Sequence, residues 1–195
     1  WYDNKKEEST SRTIQFSKLM KVRQVIAEEK IKNTIELAQN IIDQDKKVII
    51  FTNFTDTLNR IADHFGKQSV RLDGSTPKIQ RQESVDQFQE NEKVKVFVGN
   101  MRAAGVGITL TSAEAVIIND LSFVPGELAQ AEDRAYRYGQ KNNVLVYYPI
   151  FHNTIEGGIY DIVVNKKQII DTVMGDNLDK SDVVAEIMNR IQEKR

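Results

Sequence analysis

Short runs of consecutive apolar, often β-branched residues alternate with amphipathic stretches through the middle of the chain. The runs predict strands at residues 47–52, 69–72, 94–98, 115–119 and 144–150. Between them, apolar residues recur at helical spacing, which predicts helices at 56–65, 77–88 and 127–138. Thr76 before Pro77 predicts a threonine-capped start for the second helix. This alternation, with strands apolar throughout, indicates an α/β fold with a mostly parallel sheet covered on both faces.

Helical patterns also flank this central region. On the N-terminal side, an apolar stripe runs through Ile31, Ile35, Ala38, Ile41 and Ile42. On the C-terminal side, residues 154–173 and 181–193 predict two further helices. We therefore divide the chain into a charged, flexible segment at 1–16, a helical lead-in at 17–45, an α/β domain at 46–152 and C-terminal helices at 153–195.

The composition, 40% hydrophobic and 28% charged over 195 residues, is that of an ordinary globular protein. Without a long apolar run or a secretory pattern at the polar N-terminus, we expect no membrane partner. Because the chain starts at Trp1, we also expect it to be a piece of a longer protein. The absence of cysteine excludes disulfides, and His64 and His152 lack ligand-like spacing, so no metal site is predicted.

The net charge of -1 does not indicate a nucleic-acid binder, but local basic clusters can still contact phosphates. The candidates are Lys46 with Lys47, Lys78 with Arg81, Lys93 with Lys95, and Arg102.

Residues 130–140 carry the densest candidate chemistry. As a helix they would place Gln130, Arg134 and Arg137 on one face and Leu128, Ala131, Ala135 and Tyr138 on another. Two guanidiniums and an amide on one anchored face suit a phosphate chain, because arginine offers a permanent charge and a planar fork of donors. The alternative is a solvated helix in which Asp133 and Arg137 form an i,i+4 ion pair.

In open parallel sheets, ligands bind beyond the carboxyl ends of the strands, which directs attention to three loops. Thr52 and Asn53 could contact a ligand or simply cap the next helix. The loop at 73–76 is either a phosphate site or a turn. The loop at 99–111 is rich in small residues and adds Arg102, Thr109 and Thr111, although Gly105 and Gly107 would also suit a tight turn.

The sequence contains no G-x-x-x-x-G-K-[ST] loop. Paired arginines without such a loop are not expected to bind and hydrolyse a nucleotide unaided. They could instead act on a nucleotide that a facing domain holds.

Taken in order, four segments resemble the C-terminal RecA-like lobe of Swi/Snf-type ATPases in helicase superfamily two. They are VIIFTNF at 48–54, LDGST at 72–76 followed by Arg81 and Phe88, RAAGVGITLT at 102–111, and QAEDRAYRYGQ at 130–140. KLMKVRQ at 18–24 resembles the entry to this lobe, and TIE at 154–156 opens a helix that resembles its brace. FVPG at 123–126 looks closest to a branch with annealing helicases and many bacterial and phage members. Tyr136 and Tyr138 stand where histidine and isoleucine are usual.

The resemblance implies a RecA-like three-layer sandwich that forms half of an ATP-driven translocase on double-stranded DNA. ATP with Mg would be held mainly by an N-terminal RecA-like lobe of the same protein, and none tightly by this chain, which alone would not hydrolyse ATP. Arg137 and Arg134 would be the arginine finger and its partner, with Gln130 ordering the nucleotide side and Gly105 and Gly107 near ATP. The residues facing DNA phosphates would be Thr52, Asn53, Gly74, Ser75, Arg102, Thr109 and Thr111.

A bacterial or phage member would be intracellular, cytoplasmic and nucleoid-associated. Two other interpretations stay open. One is the equivalent lobe of a strand-separating helicase or restriction translocase, although Gln140 and the brace-like tail favour the Swi/Snf type. The other is a non-enzymatic RecA-like module for DNA binding or protein interaction.

Overall fold

A computed structural model describes residues 2–104, 107–140 and 142–172 of the protein. Its helices are α1 (Tyr2–Glu29), α2 (Ile31–Ile42), α3 (Thr55–Phe65), α4 (Lys78–Glu90), α5 (Met101–Ala104), α6 (Pro125–Glu132) and α7 (Ile155–Thr172), with a 3-10 turn at Gly66–Gln68. Its strands are β1 (Val48–Thr52), β2 (Ser69–Leu72), β3 (Val96–Asn100), β4 (Ala115–Ile118) and β5 (Leu145–Tyr147).

The strands form one sheet in the order β2-β3-β1-β4-β5, and every neighbouring pair is parallel. β1 lies at the centre, with Val48 opposite both Val96 of β3 and Ala115 of β4. Because all strands run the same way, their carboxyl ends and the loops that follow them lie at one edge. This arrangement confirms the predicted α/β fold with a parallel sheet.

Alternate residues of the central strands enter two separate cores, as the twofold repeat of a strand requires. On one face Ile49, Phe51, Phe97, Val116 and Ile118 pack with residues of α4, α6 and α7. On the other face Val48, Ile50, Val96, Val98 and Ile117 pack with residues of α2 and α3. The sheet is therefore the middle of three layers, which explains why its central strands are apolar throughout.

The lead-in stripe is confirmed, since Ile31, Ala38 and Ile41 are buried in the second core. Helix α1, however, begins at Tyr2, within the segment 1–16 that was expected to be flexible. Lysine, glutamate and arginine are good helix formers, so a charged composition does not oppose a helix. Helix α7 matches the first predicted C-terminal helix, whereas the second, at 181–193, lies outside the described residues.

Two local predictions are wrong. Thr76 does not cap α4: its hydroxyl accepts a hydrogen bond from the Asp73 amide at 2.9 Å, because Asp73 organises the preceding turn. The helix predicted through residue 138 ends at Glu132 and gives way to turns. Within the described residues, no helix is long and apolar enough to cross a membrane, and no cluster of acidic and histidine side chains could hold a metal ion.

Candidate functional site

The carboxyl edge of the sheet gathers five of the predicted site residues, namely Thr52, Asn53, Gly74, Ser75 and Arg102. The turn after β1 begins at Asn53, the turn after β2 spans 73–76, and α5 directly follows β3. The segment after β4, from Asn119 to Phe123, is buried and lies beside the β1 turn. Parallel topology thus brings loops that are far apart in sequence to one surface.

Arg134 and Arg137 converge on the loop that follows α5. Nη1 of Arg134 donates to the Ile108 carbonyl at 3.2 Å, and Nη1 of Arg137 donates to the same oxygen at 3.5 Å and to the Thr109 hydroxyl at 3.1 Å. Arg134 is half-buried, whereas Arg137 is exposed. Two permanent positive charges therefore share one anchor at the edge of the protein.

The proximity of the two guanidiniums also affects the pKa of Arg134. The pKa of Arg134 is lowered, first by burial and second by the positive charge of Arg137, while Asp133 opposes the shift. An anion that binds between or beside two neighbouring positive charges offsets their mutual repulsion. The pair therefore suits a phosphate ligand.

The alternative interpretation, an ion pair between Asp133 and Arg137, is not realised: both residues are described, and neither takes part in a salt bridge. Their helical spacing is lost because α6 ends at Glu132. The Arg134 carbonyl instead accepts from the Leu110 amide at 2.9 Å, and the side-chain nitrogen of Gln140 donates to the Ala113 and Ala135 carbonyls at 2.8 and 3.2 Å. These bonds fasten residues 133–140 to the neighbouring loop.

The predicted apolar face of this segment is only partly correct. Leu128, Ala131 and Ala135 are buried as expected. Tyr138 is fully exposed and Tyr136 is 73% exposed, so neither tyrosine anchors the segment. Both side chains flank Arg137 in sequence and point away from the core.

The turn at 73–76 is built around the Asp73 carboxylate. One of its oxygens accepts from the Ser75 amide and hydroxyl at 2.8 and 2.7 Å and from the Thr76 amide at 3.0 Å. The Ser75 hydroxyl, followed by other donors of the turn, lowers the pKa of Asp73. Gly74 and Ser75 are exposed at the tip of this turn.

Arg81 holds that turn against the neighbouring loop. Its guanidinium donates to the carbonyl oxygens of Thr76, Asp73 and Gly74 at 2.8, 3.2 and 3.4 Å, and to that of Ala103 at 3.2 Å. Because the guanidinium donates to four carbonyl oxygens in two loops, Arg81 clamps these loops together. The sequence had marked Arg81 as a basic candidate without this role.

Arg102 lies in α5 directly after β3, whereas Thr111 lies beside the C-terminal end of α4. Arg102 is exposed, and its Nε donates to Glu127 at 3.0 Å; the other oxygen of Glu127 accepts from Ser122 at 2.5 Å. The Thr111 hydroxyl accepts from the side-chain amide of Gln89 at 3.2 Å. Arg102 thus presents a charge that one carboxylate partly neutralises.

Thr52 and Asn53 are placed differently from the prediction. Thr52 is fully buried and its hydroxyl donates to Asp120 at 2.5 Å, while the Asn53 side-chain nitrogen donates to Asp120 at 2.7 Å. Neither side chain is directed to solvent with a spare donor, and their DNA role stays a prediction. Sequence reasoning missed Asp120; its signal was an acidic residue just beyond a buried strand.

The remaining candidates differ in what the structure says of them. Gly105 lies outside the described residues, whereas Gly107 is exposed with a φ of 72°, a conformation that favours glycine. Gln130 is exposed on α6. Lys47 and Lys95 lie at the opposite edge, where they bind backbone carbonyls of Phe88 and Asn91 and the Asp45 carboxylate respectively. Those lysines are therefore not part of this surface.

The profile of the family described as "Helicase conserved C-terminal domain" matches residues 29–139. The chain belongs to this family. The match runs from the end of the lead-in helix α1, through strands β1 to β4, to the turn that carries Arg134 and Arg137. This helicase C-terminal domain therefore includes all the loops of the candidate site.

Two curated relatives are informative. The chain is 35% identical over 160 residues to the Drosophila melanogaster "SWI/SNF-related matrix-associated actin-dependent regulator of chromatin subfamily A-like protein 1", covering 80% of this chain and 21% of that protein. It is 36% identical over 151 residues to the fission yeast "ATP-dependent helicase fft3", covering 76% of this chain and 16% of that protein. The helicase domain spans about a fifth of the length of the curated relatives it matches.

Solved structures place the fold among SNF2 ATPase cores. The Sulfolobus solfataricus SWI2/SNF2 ATPase core in complex with dsDNA superposes with a TM-score of 0.71 at 27% identity, covering 93% of this chain and 41% of that one. The C-terminal part of the Fun30 ATPase domain superposes with a TM-score of 0.69 at 34% identity, covering 85% and 54%. The helicase domain is therefore a RecA-like lobe of SNF2 type.

The expectation of a bacterial or phage protein in the cytoplasm, associated with a nucleoid, is wrong. The curated relatives come from fly, nematode and fission yeast, and those of fly and nematode are named as regulators of chromatin, which eukaryotes keep in the nucleus. FVPG at 123–126, on which the bacterial placement rested, does not distinguish eukaryotic from bacterial members.

Proposed function

We propose that this helicase domain is the second lobe of an ATP-driven translocase on double-stranded DNA. It would complete an ATP site whose phosphate-binding loop and magnesium ligands come from an N-terminal RecA-like lobe of the same protein. The observation that carries this proposal is the convergence of Arg134 and Arg137 on Ile108 and Thr109.

The arginine pair supports a role in stabilising charge on a phosphate that another lobe delivers. Arg137 is exposed, and its side chain donates to neutral oxygen atoms of Ile108 and Thr109, so its charge is available to an incoming anion. Arg134 is half-buried, and its backbone carbonyl accepts the hydrogen bond from the Leu110 amide that fixes the loop. Arg137 would be the finger and Arg134 its positioning partner, an arrangement worth about 10³ to 10⁵ in rate in well-studied NTPases. Gln130, Gly105 and Gly107 would lie near the nucleotide.

The remaining loops support a surface that binds DNA. Gly74 and Ser75 form an exposed turn, Arg102 supplies a positive charge, and Thr109 and Thr111 add hydroxyls. Contacts of this kind go to phosphates and sugar and carry no base sequence. The name of the Sulfolobus structure, a complex with dsDNA, supports a duplex as the partner.

The decisive experiment compares ATP turnover in the full-length protein with and without duplex DNA. Arg137→Ala is expected to reduce DNA-stimulated turnover by about 10³-fold, because the finger acts on charge that develops during hydrolysis. Nucleotide affinity, measured with a fluorescent ATP analogue, is expected to stay near the wild-type value. The present chain alone is expected to show no DNA-stimulated hydrolysis.

Arg71→Ala is the matched control, because Arg71 is an exposed arginine on β2 that contacts Asn59 and Asp63. Its turnover should equal that of the wild type. Wild-type turnover in Arg137→Ala would remove Arg137 from the finger role. Displacement of a labelled strand by the full-length protein would instead indicate a strand-separating helicase, and absence of any ATPase would indicate a binding module.

We further propose a place near the annealing helicases within the SNF2 family, on the basis of FVPG at 123–126. This placement is tested by measuring whether the full-length protein re-anneals an unwound DNA bubble in the presence of ATP.

A further inference from the structure

The carboxylate of Asp120 is buried at the end of β4 and accepts hydrogen bonds from three neighbouring residues. Asp120 is 2% exposed. Oδ2 accepts from the Thr52 hydroxyl at 2.5 Å and from the Asn119 side chain at 3.4 Å. Oδ1 accepts from the Asn53 backbone amide at 3.0 Å and from the Asn53 side chain at 2.7 Å. A buried acid is costly unless donors of this kind surround it, so its presence here points to a role in placing them.

The donors of Thr52 and Asn53 are already occupied inside the protein. The Asn53 side-chain nitrogen also donates to the backbone carbonyls of Asp120 and Leu121, at 3.2 and 3.4 Å. The Thr52 hydroxyl, besides donating to Asp120, accepts from the Phe54 amide at 3.2 Å. Donors engaged in this way are not available to a DNA phosphate unless the turn comes apart.

A continuous chain of hydrogen bonds leads from this turn to Arg102. The Asn53 carbonyl accepts from the side-chain amide of Asn100 at 3.2 Å. The other end of that side chain, Oδ1 of Asn100, accepts from the backbone amides of Arg102 and Ala103 at 3.1 and 3.4 Å. The position of Arg102 therefore depends on Asn100, and the position of Asn100 depends on Asn53. Asp120 in turn holds Asn53.

The lead-in helix secures the same segment from the far side. Arg23 is buried, donates to the Leu121 carbonyl and lies over the Phe123 ring at 4.1 Å. The Asn119 side chain donates to the Ala27 carbonyl at 3.2 Å. Helix α1 and the end of β4 are thus joined, so Asp120 rests on a fixed support.

We propose that Asp120 is a positioning residue for DNA binding, which acts through Asn53 and Asn100 on Arg102. Thr52 and Asn53 then contribute to DNA binding by fixing the turn, and not by donating to phosphates. This inference rests on the proposed function, because it assumes that Arg102 contacts the DNA backbone.

The test uses Asp120→Asn in the full-length protein, with DNA affinity measured by fluorescence anisotropy on a labelled duplex. The variant removes a negative charge near the DNA surface, which by electrostatics alone would tighten binding. If Asp120 acts by positioning, DNA affinity should instead fall by about tenfold. The NH2 group of the substituted side chain would then face hydrogen-bond donors of the turn, which lose an acceptor. Hydrogen exchange should become faster at the amides of Asn53 and Arg102.

Glu156→Gln is the matched control. It also removes a buried negative charge, and Glu156 is 5% exposed, but its hydrogen bonds go to Lys30 and the Phe151 amide and not to residues of the turn. Its DNA affinity should not fall, and exchange at Asn53 should be unchanged. An equal loss of affinity in Glu156→Gln would show a general effect of destabilisation and would overturn the inference.

A double-mutant cycle with Asn100→Ala separates positioning from a purely structural role. Since Asn100→Ala breaks the chain of hydrogen bonds at its middle, Asp120→Asn should cost little further affinity in that background. Additive losses would overturn the inference, as would unchanged or tighter binding by Asp120→Asn. Failure of the wild type to bind the duplex would overturn the proposed function and, with it, the role in DNA binding. The exchange measurement would then still report whether Asp120 holds the turn.

Discussion

Arg134 and Arg137 donate to one shared acceptor, the carbonyl oxygen of Ile108, at 3.2 and 3.5 Å. Sharing is possible because α6 ends at Glu132 and the chain turns toward the loop at 107–111. An uninterrupted helix would fix the two side chains by helical spacing alone. Here the opposite loop fixes them, so changes in that loop should alter catalysis without touching either arginine.

Thr109→Val tests this dependence. The substitution keeps the shape of the side chain and removes the hydroxyl that accepts from Arg137 at 3.1 Å. We expect kcat of the full-length ATPase to fall by about ten- to a hundredfold with little change in the KM for ATP, because a misplaced catalytic group mainly affects the transition state. Thr57→Val is the control, since the buried Thr57 hydroxyl has no hydrogen-bond partner among the residues that the structure describes. Unchanged kcat in Thr109→Val would mean that Ile108 alone fixes Arg137.

Arg81→Met tests the clamp between the turn at 73–76 and Ala103. Methionine fills the space but leaves four carbonyl oxygens without their donor. We expect the free energy of unfolding to fall by about 1–3 kcal/mol, measured by urea denaturation. Gln82→Met, at an exposed neighbour that bonds to Asp86, should cost far less. Equal stabilities for the two variants would contradict a clamp.

Much of the fold was predictable because it depends on patterns that repeat over many residues. The strands β1 and β2 begin and end within a residue of their predicted bounds, and so does α3. Central strands buried on both faces require apolar residues throughout, and that requirement is visible in one sequence. Position beyond the strand ends also predicted where Gly74 and Arg102 lie, in the turn after β2 and in α5 after β3; their contact with DNA stays a prediction.

The rest depended on single contacts between distant residues. Alanine, glutamate and arginine in 131–137 favour a helix, and what stops it is the bond from the Leu110 amide to the Arg134 carbonyl. Asp120 was missed for a related reason: acidic residues are seldom buried, and this one is buried because Thr52 and Asn53 reach it from β1. Neither contact leaves a periodic pattern in the sequence.

The turn at 73–76 should respond to acid in a defined direction. The Ser75 hydroxyl, first among several donors, lowers the pKa of Asp73 below its ordinary value of 3.8. A lowered folded-state pKa means that this carboxylate stabilises the fold above the unfolded value and that the contribution is lost as pH falls through the lowered one. The Ser75 and Thr76 amide resonances should therefore titrate in NMR with a midpoint below pH 3.8.

Ser75→Ala should move that midpoint upward, toward the ordinary value, because it removes the largest cause of the shift. Ser84→Ala, on the neighbouring helix α4, serves as the control and should leave the midpoint in place. A wild-type midpoint at or above the ordinary value would contradict the hydrogen-bonded turn.

The buried pair of Lys30 and Glu156 provides the last prediction. Lys30 is 1% exposed, and its Nζ donates to Glu156 at 2.5 Å and to the Pro149 carbonyl at 3.1 Å, so it joins the lead-in to α7. Burial lowers the pKa of Lys30, and the Glu156 charge opposes that shift. Lys30→Met leaves Glu156 buried without its cation and should reduce the free energy of unfolding by about 3–5 kcal/mol.

Adding Glu156→Leu to Lys30→Met should recover most of that loss, because removing both charges also removes their desolvation cost. Thermal and urea unfolding of the two single variants and the double variant measure this coupling directly. Lys32→Met is the control, since Lys32 is exposed and its pair with Glu36 spans 3.9 Å on the helix surface. If the double variant is as unstable as Lys30→Met alone, the pair contributes more than it costs, and the junction between lead-in and α7 depends on charge and not on packing.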